Sequence, residues 1–180
     1  ATAEELQFLA HGVVARTGVT YNDLESAPHV LLVGFEPEDE SPIVFLRLRK
    51  SVVAGTTKVT TVASHASAGT RKLDAALLAA APGAHAQVVS SLPTSVLDAL
   101  SQAGSIVMVG ERAATEPGLL SAVAALAAKT GARLAWVPRR AGERGALEVG
   151  AVTGWLPGGR DAHDPAHRAA VQSVWGQIPA

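Results

Sequence analysis

Four carboxylates, Glu36, Glu38, Asp39 and Glu40, crowd one turn directly after the apolar run His29 to Val33 and the glycine Gly34. A strand that ends in glycine and turns into a helix is the usual frame for a nucleotide pyrophosphate. The helix N-terminus offers free N–H groups and a positive field. This turn has one glycine, no G-x-G-x-x-G pattern, and acids that would each repel a phosphate. Three readings fit its residues. The acids and Ser41 can satisfy the helix's free N–H groups as a capped helix start, the four carboxylates can gather a divalent cation, or the turn can make an unusual nucleotide contact. The capped helix start is the expectation, because it needs no partner outside the turn.

Two other stretches hold residues of catalytic type. SHASAG, residues 64–69, follows a strand-like run and places Ser67 in half of a G-x-S-x-G nucleophile elbow. The elbow needs its first glycine because the strained turn tolerates little bulk. His65 stands there, so a polar loop is expected instead. HDPAH, residues 163–167, spaces two histidines as in a helical zinc pair. Pro165 separates them, leaving His163 before a helix and His167 inside it, with no cysteine or H-E-x-x-H glutamate to complete a ligand set. His11, His29 and His85 are scattered and read as ordinary surface or core side chains.

Composition narrows the field. The chain has 180 residues, 48% apolar and 17% charged, which suits a globular domain with a sizeable core. Its 15 basic and 16 acidic residues give a net charge of −1 and no electrostatic basis for binding nucleic acid or an anionic membrane. Cysteine is absent, so this chain itself holds no disulfide, thiolate metal site, iron–sulfur cluster or cysteine nucleophile, a composition that fits a cytosolic protein. No apolar run approaches the ~18 residues of a membrane helix, and there is no signal peptide. The chain opens without Met inside a helix-like stretch, which predicts a piece of something longer.

The elements that must position these residues alternate in type. Apolar spacing predicts a helix over 4–15. A buried strand follows over 30–34, then a helix over 41–53 with Ser41 as N-cap and Pro42 at its first position. Further strands are expected over 58–64, at an edge over 76–80, over 105–110 and over 132–138. Helical segments are expected over 84–102, broken by Pro93, and from Pro117 to Thr130, ended by Gly131. Six glycines predict an irregular segment over 139–160, of which residues 145–160 pack along the sheet's carboxyl edge through Trp155 and Leu156. Asp164 caps a last helix from Pro165. The alternation predicts an α/β fold, a doubly wound, mostly parallel Rossmann-like sheet with helices on both faces, in one domain over residues 1–180. Its parallel core is Val30 to Val33, Val59 to Val62, Ile106 to Val109 and Leu134 to Val137. Ligands of such sheets bind beyond the strands' carboxyl ends, here Gly34, Ser64 and Gly110.

Three stretches resemble one family. SAPHVLLVGFEPEDESPIVFLRLRK, residues 26–50, is similar to the strand–G–x–x–P–x–x–x–x–P–helix–R–x–R–K segment of molybdopterin-type oxidoreductases. AALLAAAPGAHAQVVSSL, residues 75–92, resembles the strand, Pro-Gly and helix that follow. GERGALEVGAVTGWLPGGR, residues 142–160, with Trp175-Gly176 beyond it, resembles the tail of the large iron–sulfur subunits of proton-pumping NADH–quinone oxidoreductases, the respiratory complex I family. The resemblance implies a structural role supporting electron transfer from NADH to quinone. It also implies iron–sulfur clusters held by cysteines outside this chain. The implied partners are other domains of the same subunit and neighbouring peripheral-arm subunits, with no nucleic acid and no membrane insertion. The implied location is cytoplasmic and peripheral to the inner membrane.

In cofactor-loaded relatives a G–x–N–P turn, here Gly34-Phe35-Glu36-Pro37, and an Asp-Pro-Arg after the second strand help hold a guanine dinucleotide. This sequence departs at both places, with Glu36 for Asn and Ala63-Ser64-His65 for Asp-Pro-Arg. The expectation is therefore a vestigial cleft of Gly34, Phe35, Glu36, Pro37, Ser64 and Gly110, with no cofactor, metal or catalytic residue in this chain. The basic residues in view, Arg47, Arg49 and Lys50, lie too far along the next helix to offset the acids. Two alternatives stay open: a working molybdopterin guanine dinucleotide domain, and an unrelated nucleotide-binding α/β domain.

Overall fold

The computed structural model describes residues 2–14, 18–138, 140–152 and 154–178. Ala15, which ends the expected first helix, and Arg139, which opens the expected irregular segment, lie outside the described residues. The chain divides into two compact units, a terminal unit from residues 1–17 and 140–180 and a sheet unit from residues 18–139.

The terminal unit starts with α1 (Ala3–Gln7), capped by the Thr2 side chain, and runs on as a π-helical segment Phe8–Val14. The sheet unit starts with α2 (Tyr21–Ser26), closed at its N-terminus by a reciprocal Thr20–Asp23 capping box. Then come β1 (His29–Val33), a single turn α3 (Pro37–Glu40), α4 (Pro42–Val53), β2 (Lys58–Ala63), α5 (Ala68–Lys72) and β3 (Ala76–Ala79). Pro93 divides the next helical stretch into α6 (His85–Ser90) and α7 (Thr94–Leu100), because a proline ring displaces the preceding turn. β4 (Ile106–Gly110), a 3-10 turn Glu111–Thr115, α8 (Leu119–Thr130) and β5 (Arg133–Val137) complete the unit.

The five strands are parallel in the order β3-β2-β1-β4-β5. Register runs evenly, with Val30 opposite Val59 on one side and Ile106 on the other. Period-two alternation sends Val30, Leu32, Ile106 and Met108 to one face, where Leu24 of α2 and Val44, Phe45 and Leu48 of α4 cover them. Leu31, Val33, Val107 and Val109 take the other face, where α6, α7 and α8 pack. Both faces are covered, which is why these strands read as continuous apolar runs. The strand order reverses between β1 and β4, so the crevice of this doubly wound sheet belongs at the ends of those two strands.

The second part of the terminal unit holds α9 (Glu143–Glu148), a short antiparallel pair β6 (Trp155–Leu156) and β7 (Arg160–Asp161), and α10 (Pro165–Trp175). The expected irregular segment 139–160 therefore contains a helix. Arg144 pairs with Glu148 one turn on, and Arg140 pairs with Glu143, which offsets part of the helix cost of Gly145. Trp155 makes an edge-on contact with His11, ring centres 5.1 Å apart, within the terminal unit.

Candidate functional site

At the β1–β4 reversal the two strand ends close on each other. Gly34 leaves β1 with φ +56, a left-handed conformation that glycine adopts without strain. A Cβ on Gly34 would lie 3.0 Å from the Ala113 backbone nitrogen in the 3-10 turn after β4. A Cβ on Gly110 would lie 2.5 Å from the Gly34 carbonyl oxygen and 3.1 Å from the Phe35 Cβ. Phe35 is 5% exposed, part of the apolar cluster above the sheet, and Pro37 starts α3 fully buried. Gly34, Phe35, Pro37 and Gly110 are thus brought together at the closed strand ends.

The turn's N–H groups are taken within it, two by acid side chains and three by backbone carbonyls. Glu36 caps α3, its Oε1 accepting from the Glu38 N–H, while the Glu36 N–H donates to Glu40 Oε1 at 2.7 Å. Asp39 and Glu40 donate to the Glu36 carbonyl and Ser41 donates to the Pro37 carbonyl. Pro37 has no N–H, so every N–H from residue 36 to 41 has an acceptor inside the turn. Ser41, the expected cap of α4, does not act as one, because its side chain makes no capping bond and α3 occupies the place of an open helix start.

Three of the four acids also reach another element. The Glu36 carboxylate lies over Gly69 of α5, so close that a Cβ there would sit 2.3 Å from its Oε1. Glu38 pairs with Lys72 of α5. Glu40 pairs with Arg112 of the 3-10 turn at 2.6 Å, and its other oxygen, Oε2, is buried with no hydrogen bond among the described residues. Lys72 and Arg112 are the cations that sequence reasoning misses; Arg47 and Lys50 instead share Glu25, whose carboxyl they hold below its usual range, Lys50 most strongly. The partners lie 34 and 72 residues from their acids, a separation with no local signal.

The remaining candidates fall elsewhere. Ser64 is exposed just beyond the end of β2 and bonds the neighbouring His65 Nδ1 at 3.1 Å. Ser67 caps α5, its hydroxyl accepting the Thr70 N–H at 2.8 Å. His167 Nδ1 accepts the Asp161 N–H at 3.1 Å, and the Asp164 side chain caps α10 through the N–H groups of Ala166 and His167, which lower its pKa. His29 is buried beside β2 with Nε2 against Thr60 Oγ1 at 3.1 Å, and burial, with a smaller contribution from Lys58, lowers its pKa. Glu116 accepts from the Ala86 N–H and pairs with His85, tying α6 to the start of α8. Burial pushes the Glu116 carboxyl up, but those donors outweigh it and the net shift is downward. No group of three or more metal-ligating side chains occurs among the described residues, and no helix there is long and apolar enough to cross a membrane.

The molybdopterin oxidoreductase family matches residues 5–161. The chain is 54% identical over 183 residues to the G subunit of NADH-quinone oxidoreductase from Mycobacterium bovis, an alignment covering 99% of this chain and 23% of that protein. It is 45% identical over 199 residues to the G subunit of NADH-quinone oxidoreductase from Streptomyces coelicolor, covering 97% of this chain and 24% of that protein. The chain thus spans about a quarter of the length of these curated relatives. With the family model matched from residue 5 to residue 161, and with the strand–glycine–proline turn at the reversal of a parallel sheet, the chain belongs to the molybdopterin oxidoreductase family.

Proposed function

We propose that this chain is a cofactor-free structural part of the large peripheral subunit of an NADH–quinone oxidoreductase. Its work is to support the electron-carrying parts of that subunit, and its partners are those parts and neighbouring subunits of the arm. The observation that carries this reading is the filled strand end. A dinucleotide needs space and free N–H groups where β1 meets β4. There, Phe35 and Ala113 fill the space, the Gly34 carbonyl abuts Gly110, and the N–H groups from 36 to 41 are bonded within the turn. These residues do not fit a pyrophosphate. The acids serve instead to fasten the turn, through Glu36 on Gly69, Glu38 on Lys72 and Glu40 on Arg112.

Elemental analysis of the full-length subunit, purified with its oxidoreductase, tests the reading. Iron without molybdenum is the expected result. Stoichiometric molybdenum retained through purification, or failure of the subunit to purify with NADH–quinone reductase activity, overturns it.

A further inference from the structure

Among the described residues, every large apolar side chain left exposed in the sheet unit lies on one outer surface. Ile43, Leu46 and Val53 of α4 are 51%, 59% and 69% exposed. Tyr21, 48% exposed, stands beside them on α2, with the Arg47 guanidinium 5.5 Å from its ring centre. At 3.6 residues per turn, Ile43, Leu46, Arg49, Lys50 and Val53 share an arc of about 120°. The opposite side of the same helix buries Val44, Phe45, Leu48 and Ser51 on the sheet. α4 is therefore apolar on both sides, the pattern of a helix that belongs inside a structure. Single exposed apolar residues are ordinary, whereas four together mark an interaction surface. Arg49 sits between Leu46 and Val53 on this stripe, exposed, and has no ion-pair partner among the described residues, while Arg47 and Lys50 are engaged by Glu25.

We propose that the outer face of α4 is an interface covered by a part of the same, longer polypeptide lying outside residues 1–180, which presents an apolar surface with a carboxylate against Arg49. This rests on reading the chain as part of a subunit as long as its relatives. The matched residues are 23–24% of those relatives, so about three quarters of such a polypeptide lies outside them. A tethered segment meets the face at a high effective concentration, which favours it over an untethered protein of equal affinity. Arginine flanked by apolar side chains is also the composition of an interface centre rather than of a solvated surface.

The test places a photoreactive benzophenone side chain at position 46 of the full-length polypeptide, with position 102, exposed after α7, as the control. The expected result is an intrachain adduct from position 46, absent from position 102, to a peptide outside residues 1–180 that carries Asp or Glu. Its yield falls several-fold with Arg49→Glu and is retained with Arg49→Lys. An adduct to another polypeptide alone, to a segment without a carboxylate, or no adduct overturns the proposal. The adduct is read on the full-length polypeptide itself, so its absence is distinct from failure of the subunit to purify with an oxidoreductase.

Discussion

Gly110 and Gly69 both touch the acidic turn, yet a methyl group at each meets a different kind of neighbour. At Gly110 the obstacle is the Gly34 carbonyl, which is backbone held by two strands; at Gly69 it is the end of the Glu36 side chain, which can swing. Gly110→Ala is expected to cost about 2–3 kcal/mol, and Gly69→Ala about 1 kcal/mol or less, both measured by denaturant unfolding. Equal costs would mean the strand-end contact is not tight. His29 gives a pH prediction. Its folded pKa lies below the ordinary value of 6.5, so as pH falls through 6.5 the unfolded chain takes up a proton that the folded one does not. Stability is therefore undiminished by this group above 6.5 and declines as pH falls toward the folded pKa. His29→Gln should flatten the unfolding midpoint in that window and leave the steeper loss at lower pH, where the depressed carboxyls of Asp23, Glu25 and Asp164 titrate. At this scale the sequence is half legible. The acids and their clash with phosphate are plain, but Lys72 and Arg112 come to them across crossovers of the sheet, so no spacing rule finds them.

Elements are legible where apolar pattern and punctuation agree. The strands show as short runs because both faces of the sheet are covered, and Pro93 and Gly131 mark real helix limits. The turn-scale helices are not legible. Glu111–Thr115 and Glu143–Glu148 are each set by bonds or ion pairs within five or six residues, too short a stretch to show a period. The helix α4 separates what pattern shows from what it cannot. Its apolar residues fall on two sides, and only the fold tells which side meets the sheet. Leu48, fully buried, should cost about 3 kcal/mol on replacement by Ala, as cavity-forming substitutions do. Leu46→Ala on the other side should change the stability of residues 1–180 by about 0.5 kcal/mol or less. Thermal or urea unfolding of the two variants decides it, and a large loss at Leu46 would mean that α4 faces the sheet differently.

For the whole molecule the question is what would keep a dinucleotide out of the doubly wound sheet if, as proposed, the domain is cofactor-free. Charge alone is not the reason. Two unpaired carboxylates at ~6 Å from a phosphate would oppose binding by about 5 kcal/mol at an effective dielectric near 20. Here, Glu38 and Glu40 are paired with Lys72 and Arg112, so most of that repulsion is already cancelled. On the proposed reading the site is closed by packing: Phe35 in the core, Ala113 against Gly34, and N–H groups from 36 to 41 that are taken within the turn. The two causes differ in their response to salt. Repulsion between exposed charges is screened within a Debye length of roughly 8 Å at physiological ionic strength, so an electrostatic barrier relaxes as salt is added. A packed barrier does not. Calorimetric titration of a guanine dinucleotide or NADH into residues 1–180 should therefore show no binding at low salt and none at high salt. Binding that emerges or strengthens with salt would return the closure to the acids. Micromolar binding at physiological salt that is lost in Gly34→Val would show that the strand end opens, and with it would go the reading of this domain as a scaffold.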